Sequence, residues 1–176
     1  MKTTGVVRRI DDLGRIVIPK EIRRSLRIRD GEPLEIFVDK EVITLKKYSS
    51  IEDLSEIAKN FVETISKSLG KIIFIADRDK FIAISKEQRK KYLNQPISKY
   101  LAEIMDYREV VMNKEIEDLE ITENEIEEMS YVIVPIILNG DPIGLIVIAS
   151  LDESVLDLDG KIAMIMSSFL AKYIEE

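Results

Sequence analysis

One stretch decides how the first part of this chain folds: Gly14-Arg-Ile-Val-Ile-Pro-Lys-Glu-Ile-Arg-Arg-Ser-Leu26. The β-branched run at 16–18 favours a strand. Pro19 follows it directly and suits the first turn of a helix, because that position needs no N–H donor. Ile22 and Leu26 lie four residues apart and share one helix face. The stretch therefore predicts a strand, a proline break and a short helix that present arginine side chains around one corner.

Charge is distributed unevenly along the 176 residues, whose formal net charge is −7. Residues 1–50 contain twelve lysine and arginine residues against eight acids, so their net charge is +4 and that of residues 51–176 is −11. A basic N-terminal part on an acidic remainder predicts a polyanionic partner for the first part alone. Arginine suits this role because its planar fork can donate two hydrogen bonds at once to phosphate or guanine.

The composition argues against several classes of protein. The chain has no cysteine and no histidine, so disulfides, zinc centres and a histidine general base are not expected. We expect no enzyme and no cofactor, although carboxylate-bound Mg²⁺ or Ca²⁺ stays open. No apolar run approaches the roughly 20 residues that span a bilayer, and residues 1–5 lack the apolar core of a secretion signal. A cytoplasmic protein without a membrane partner is therefore predicted.

The first fifty residues contain the pattern of four short strands with one short helix inserted. Units of about 40–60 residues usually need metals, disulfides or oligomerisation to be stable. Since metals and disulfides are not expected here, we infer that this part folds only as an intertwined dimer with two-fold symmetry. The predicted strands are Gly5–Ile10, Arg15–Ile18, Leu34–Val38 and Val42–Lys47, and the predicted helix is Pro19–Leu26.

A boundary is expected at Tyr48-Ser-Ser50, followed by a helix over residues 51–69 that Ser50 caps and Gly70 ends. The spacing of its apolar residues is that of a coiled-coil seam. Two interpretations stay open: an ordinary amphipathic helix docked on its own domain, or a contact between subunits. The apolar residues are Ile51, Leu54, Ala58, Phe61 and Ile65.

Residues 71–176 mix strands and helices without regular alternation, which is typical of an antiparallel α+β sandwich. Asn139-Gly140 is the strongest hairpin signal, and Pro135 indicates a strand edge or a bulge. The final helix is expected to be capped by Asp157 or Asp159, with Ile162, Ile165, Phe169 and Tyr173 along one side. The predicted strands are Lys71–Ala76, Phe81–Ser85, Tyr131–Leu138 and Gly144–Ala149, and the other predicted helices are Lys86–Leu93 and Ser98–Met112.

Residues 115–128 hold eight acids and no base. The simpler interpretation is a solvated loop or helix. The alternative is a lid over a sensor pocket, or a face that keeps the acidic part of the molecule away from DNA. Chelation of Ca²⁺ is not favoured, because the run lacks a twelve-residue loop rich in Asp and Asn.

Residues 1–48 contain a specific motif: Thr4-Gly-Val-Val-Arg-Arg-Ile-Asp-Asp-Leu-Gly-Arg-Ile-Val-Ile-Pro-Lys-Glu-Ile-Arg-Arg-Ser-Leu-Arg-Ile28 with Leu45-Lys-Lys-Tyr48. This motif resembles the N-terminal domain of the AbrB-type transition-state regulators. The resemblance implies a dimeric, swapped-hairpin β-barrel over residues 1–50 that binds double-stranded DNA. The residues at the positions of the family's DNA-contacting arginines are Arg8, Arg15, Arg23 and Arg24, with Lys2 and Arg9 as secondary candidates.

The whole chain, including Asn139-Gly-Asp-Pro-Ile-Gly144, resembles the sporulation regulators of this family. The resemblance implies a linking and oligomerisation helix at 51–70, a GAF-like domain with an antiparallel sheet flanked by helices at 71–176, and a homotetramer. We expect a nucleoid-associated regulator of sporulation genes, acting as an activator or a repressor.

The GAF-like domain raises the hypothesis of a small-molecule effector, whose identity the motifs do not indicate. The chain has no cysteine for a bilin, no histidine for haem and no recognisable cyclic-nucleotide signature. An antitoxin-like DNA binder that neutralises a toxin is the alternative function, since the same barrel occurs in toxin–antitoxin pairs. That function requires a disordered tail, whereas residues 51–176 are patterned like a folded domain.

Overall fold

The computed structural model describes residues 5–48 and 55–175. The chain divides into two compact units, the first ending at Tyr48 and the second following it. The first unit contains helix α1 (Lys20–Ser25) and the strands β1 (Leu34–Asp39) and β2 (Val42–Lys47). The two strands form the predicted hairpin, with antiparallel pairs from Leu34–Lys47 to Asp39–Val42. Its two-residue turn places Lys40 in the left-handed region, with a φ of 52°.

The predicted strands Gly5–Ile10 and Arg15–Ile18 are wrong for the chain as described, since residues 5–19 contain a turn and no strand. The amide of Asp11 does bond to the carbonyl of Arg15 at 3.0 Å, but the ladder does not extend beyond the turn. Strand propensity alone did not suffice, because a strand also requires a partner with free backbone groups. Within one chain, residues 5–10 and 15–18 do not meet that requirement.

The second unit is built on a five-stranded antiparallel sheet. Its elements are α2 (Ser55–Leu69), β3 (Ile72–Asp77), β4 (Phe81–Ile84), α3 (Lys86–Tyr92), α4 (Lys99–Tyr107), β5 (Val111–Thr122), β6 (Glu125–Leu138), β7 (Asp141–Ser150) and α5 (Asp157–Glu175). The strand order is β4-β3-β7-β6-β5. The interior strands β3 and β7 are buried on both faces over most of their length.

Two hydrophobic cores lie on opposite faces of this sheet. Along β3, Ile73 and Ile75 enter the core beneath α2 and α5, whereas Phe74 enters the core beneath α3 and α4. The alternation follows from the two-residue period of a strand. The result is a sheet between two helical layers, which confirms the predicted α+β sandwich.

Helix α2 packs within the second unit. Its residues Ala58 and Val62 are buried against the sheet, and Phe61 and Ile65 pack beside them. The helix ends at Leu69, where Gly70 adopts a φ of 64° as predicted for its stop signal. The expected cap Ser50 and the seam residues Ile51 and Leu54 lie outside the described residues. The role of this helix in joining subunits stays a prediction.

Two boundaries differ from the predicted ones. Helix α4 ends at Tyr107 rather than near Met112, because Arg108 turns into the left-handed region with a φ of 58°. The acidic run 115–128 is neither a loop nor a helix: it forms the far part of the β5–β6 hairpin. Leu119 and Ile121 alternate with acids there and reach the core, so the run contains a strand pattern in spite of its charge.

Helix α5 begins at Asp157, and Asp159 caps its first turn. The Oδ2 atom of Asp159 accepts a hydrogen bond from the amide of Leu156, the residue before the helix, at 2.7 Å. Of the four residues predicted along the apolar side of this helix, Ile162 packs against the core, whereas the other three face outward. Ile165 is 67% exposed, and Phe169 and Tyr173 are each 45% exposed. Ala163, Met166 and Leu170 form the buried side instead. Pro135 lies on β6 just beyond the last pair with β5, Val111–Ile133, which is a local edge as predicted.

Candidate nucleic-acid interface

Helix α1 is held at both ends by backbone contacts. Pro19 stands at its N-cap with φ −55° and ψ 144°, and its carbonyl accepts from the amide of Arg23 at 3.0 Å. At the other end, Arg27 adopts a φ of 53°. The amide of Ile28 then bonds to the carbonyl of Arg23 at 2.7 Å, and the amide of Arg27 bonds to that of Arg24 at 3.2 Å. This pair of bonds is a Schellman motif, and it fixes the backbone that carries both arginines.

The side chains of Arg23 and Arg24 have different environments. Arg24 is exposed. Arg23 is half-buried, and its Nη1 contacts Oδ1 of Asp30, which lies after the Schellman turn. Its Nε is buried and has no hydrogen-bond partner among the described residues. An unsatisfied buried donor is unfavourable, so Arg23 retains the capacity to donate a further hydrogen bond.

Arg15 lies on a tight turn organised by Asp11. The Oδ1 atom of Asp11 accepts from the amide of Leu13 at 3.0 Å and from the amide of Arg15 at 2.8 Å. Its Oδ2 atom accepts from Nε of Arg15 at 2.8 Å. These bonds, the Arg15 amide first, hold the pKa of Asp11 below its ordinary value. Gly14 closes the turn with a φ of 75°, which favours glycine.

The remaining predicted DNA contacts lie on the segment before this turn. Arg8 and Arg9 are exposed there, and Lys2 lies outside the described residues. The structure therefore puts Arg23 and Arg24 side by side on α1, Arg15 on the turn and Arg8 on an extended segment, all within the first unit. None of the apolar residues in the range 5–48 is buried.

The sequence interpretation missed the two carboxylates that hold these arginines, Asp11 and Asp30. Asp11 could have been found, because Asp11-Asp-Leu-Gly14 is an Asx-turn sequence and Arg15 is four residues beyond the carboxylate. Asp30 gave no such signal. It meets Arg23 only because Arg27 reverses the chain in a conformation that arginine rarely adopts.

The second unit contains a cavity of about 510 Å³ between the C-terminal end of α2, the start of α3 and the end of β7. Lys71 contributes to its wall, but its Nζ is paired with Oε2 of Glu153 at 2.9 Å. Lys67 and Glu87 place opposite charges on the same wall, so the cavity does not select one sign of ligand. Within residues 5–48 and 55–175, no group of three acids is arranged to hold a metal ion. No helix in these ranges is long and apolar enough to cross a membrane.

Comparison with protein families gives two matches. Residues 53–175 match the model described as "Stage V sporulation protein T C-terminal, transcription factor". Residues 7–53 match the model of the MazE bacterial antitoxin, described as antidote-toxin recognition. The chain is 47% identical to stage V sporulation protein T of Bacillus subtilis, with all of both chains covered. It is also 60% identical over 48 residues to the transition state regulatory protein AbrB of the same organism, which covers 27% of this chain and 50% of that protein.

Solved structures similar to this one share the fold of the second unit. A methyl-accepting chemotaxis protein fragment has a TM-score of 0.57 at 17% identity and covers 70% of this chain and 89% of its own. The GAF domain of the nutrient sensor CodY from Clostridium difficile has a TM-score of 0.51 at 18% identity and covers 66% of this chain and 83% of its own. At these identities the likeness shows the fold alone. An AbrB-like first unit and a GAF-like second unit confirm the predicted fold class.

Proposed function

The chain belongs to the family of stage V sporulation protein T, a sporulation transcription factor, and from that membership we propose that its first unit binds double-stranded DNA as a homodimer. The contacts are made by Arg8, Arg15, Arg23 and Arg24, with Lys2 and Arg9 beside them. A regulator of this kind acts in the cytoplasm at the nucleoid. We propose no enzymatic activity for either unit.

The proposed dimer rests on the exposure of apolar residues in the first unit. Val7 is 92% exposed, Val38 72% and Phe37 48%, and no apolar residue of the range 5–48 is buried. Each apolar side chain of this size gains about 1.5–3 kcal/mol when it is removed from water. A second copy interlaced with the first supplies both the missing core and the partners for residues 5–10 and 15–18. The four arginines then become eight on one symmetric surface.

Few Asn or Gln side chains lie near the four arginines in the sequence. We therefore expect the protein to recognise DNA phosphates and groove shape more than base edges. If all eight guanidinium groups meet phosphates, the logarithm of the binding constant falls with the logarithm of salt concentration with a slope of about −7. Sequence preference then rests partly on how easily the duplex adapts to the protein.

The double variant Arg15→Ala/Arg23→Ala tests this proposal in the full chain. We expect it to lose retention of DNA in a mobility-shift assay and to reduce the salt slope to about −4, because four of eight contacts are removed. Lys40→Asn is the matched control, since it removes a positive charge from the same unit at a turn position that asparagine tolerates. If the double variant retained DNA as well as the control does, the proposed DNA contacts of Arg15 and Arg23 would be wrong.

We further propose that the outward side of α5 assembles dimers into the tetramer. Ile165, Phe169 and Tyr173 form an exposed apolar side, and Phe61 of α2 extends it, with its ring centroid 4.9 Å from that of Phe169. Assembly of this kind places two DNA-binding dimers in one particle and raises the avidity for paired sites. A small-molecule effector at the GAF-like domain remains a hypothesis that retained mass in native mass spectrometry would test.

The antitoxin alternative is weaker. The antitoxin model matches residues 7–53, whereas the sporulation-protein model matches residues 53–175, most of the chain. The remainder of the chain is a folded sandwich with two buried cores, and it offers no tail within residues 55–175 that could wrap a toxin. Co-purification with a small nuclease would favour this alternative.

A further inference from the structure

We propose that Asp11 is a positioning residue for DNA recognition. It orients the Arg15 side chain toward the duplex and weakens the attraction between Arg15 and phosphate. As a result, the protein discriminates better between DNA sequences. The proposal rests on the proposed function of Arg15. It assigns a role to a carboxylate on a surface otherwise recognised by its positive charges.

The geometry of the turn separates two tasks of this carboxylate. Oδ1 accepts the two backbone amides that shape the turn, at 3.0 Å from Leu13 and 2.8 Å from Arg15. Oδ2 instead accepts Nε of the Arg15 side chain at 2.8 Å. One oxygen therefore organises the backbone, and the other one orients the guanidinium group.

Holding Nε leaves the outer end of the guanidinium group available. Nη1 and Nη2 of Arg15 make no hydrogen bond in the part of the chain that the structure describes, and the side chain is 72% exposed. These two atoms are the pair that can bind both O6 and N7 of a guanine. Because the held side chain samples fewer rotamers, it loses less conformational entropy when it binds in this one orientation.

The charge of Asp11 affects phosphate contacts more than base contacts. A carboxylate beside the guanidinium group repels any approaching phosphate, whatever the sequence, and it partly neutralises the attraction of Arg15. Base edges are uncharged and are repelled less. Asp30 likewise places a carboxylate beside Arg23, but it contacts Nη1 rather than Nε, so the orienting role is proposed for Asp11 alone. The carboxylate of Asp11 thus lowers general affinity for DNA and raises selectivity.

The test uses the full-length protein and two duplexes. One is the tightest duplex that the wild type selects from a random pool, and the other is its scrambled version of the same length and composition. Asp11→Asn keeps an oxygen for the two amides but loses the charge and the acceptor for Nε. Asp12→Asn is the matched control, because it makes the same charge change at the neighbouring exposed position. Melting curves establish that each variant is folded.

We expect Asp11→Asn to bind the scrambled duplex about threefold more tightly and to lower the ratio of selected to scrambled affinity about tenfold. Asp12→Asn should leave the ratio within about twofold, since its charge lies off the Arg15 contact. In an Arg15→Ala background, Asp11→Asn should no longer change the ratio, because Asp11 acts through Arg15. If Asp11→Asn unfolds, Asp11→Ser replaces it, since a serine hydroxyl can also accept at this turn.

An unchanged ratio in Asp11→Asn, or an equal fall in Asp12→Asn, would overturn the proposal. A ratio that still falls in the Arg15→Ala background would overturn it too. The proposed function fails differently: the wild type would select no duplex from the pool, or Arg15→Ala would bind the selected duplex as the wild type does. The two failures are therefore distinguishable in one set of titrations.

Discussion

The two units of this chain treat apolar side chains in opposite ways. The second unit buries its inner strands β3 and β7 on both faces, and every buried apolar residue of the described chain lies within this unit. The first unit has a hairpin and a helix with defined ends, yet none of its apolar residues in the range 5–48 is buried. Local geometry is thus specified in both units, but only the second closes a core from its own residues. In the proposed dimer a second copy completes the core of the first unit, which would couple its folding to assembly.

Phe74→Ala is the largest expected perturbation and tests the self-contained core. The ring is fully buried, with centroids 5.5 Å from Phe81 and 5.8 Å from Tyr92. Truncation leaves a cavity and should cost about 3–5 kcal/mol. Urea unfolding of the second unit, followed by circular dichroism, should show this loss at any protein concentration. A loss that varied with concentration would mean that this core also depends on a partner.

Phe37→Ala is the matching change in the first unit. Phe37 is 48% exposed in the single chain, so without a partner the truncation should cost little. If a second copy covers it, we expect a loss of about 2–4 kcal/mol, and the urea midpoints of wild type and variant should both fall as the protein is diluted, because unfolding then includes dissociation. The measurement is the urea midpoint at two concentrations a hundredfold apart, with Glu41→Ala at the hairpin turn as the control.

The sandwich was predictable from sequence because its signals are local and agree. Asn139-Gly140 lies between two apolar strands, and Gly70 stops α2 where the pattern breaks. The acidic run was not predictable in the same way, since glutamate is rare in strands and its abundance masked the alternation of Leu119 and Ile121. The end of α4 at Arg108 had no signal, because arginine seldom adopts a positive φ.

The candidate interface was predictable to a different degree. The stretch 14–26 itself predicted a surface of arginines, and the resemblance to a family then assigned DNA contacts to Arg8, Arg15, Arg23 and Arg24. The structure places Arg23 and Arg24 on α1 and Arg15 on the turn organised by Asp11. Of their carboxylate partners, Asp11 lies in a recognisable Asx-turn sequence, whereas Asp30 depends on a chain reversal at Arg27 that the residue pattern does not indicate. The missing strands at 5–10 and 15–18 have a further cause: their propensity is present, but no partner strand exists within one chain. Sequence reasoning therefore did not predict the conformation of these segments in one protomer, and the dimer that would pair them stays a prediction.

Tyr92→Phe tests how α3 is fastened to the acidic hairpin. The Tyr92 hydroxyl donates to Oε1 of Glu127 at 2.6 Å, and burial first, then this bond, raises the pKa of Tyr92 to about 12. Removing the hydroxyl should cost about 1 kcal/mol, because the ring stays packed. Urea unfolding at pH 7 measures the loss.

The pH dependence of this loss follows from Glu127. Lys91 and then Tyr92 hold the pKa of Glu127 below its ordinary value of 4.5, so the carboxylate stabilises the folded state above that pH. The stabilisation disappears as the pH falls through the lower pKa of the folded state. Wild type and Tyr92→Phe should therefore converge in stability at acid pH, while Tyr107→Phe, at an exposed hydroxyl, should match the wild type throughout. A difference that persisted in acid would exclude the ionised pair as its cause.

Ile165→Glu should have the smallest effect on stability and a clear effect on assembly. Ile165 is 67% exposed on α5, and glutamate is a good helix former. The free energy of unfolding of the second unit, measured with urea, should therefore change by less than about 0.5 kcal/mol. A charge on the outward apolar side should nevertheless prevent two dimers from associating, because burying it without a partner is unfavourable. Native mass spectrometry should then report dimers in place of tetramers.

The control is Met166→Ala, at the next position, which is buried. This variant should lose about 2–5 kcal/mol of stability, while its folded fraction keeps the subunit number of the wild type. If Ile165→Glu also left the subunit number unchanged, the second unit would be self-contained in assembly as well as in folding, and the first unit alone would join the copies.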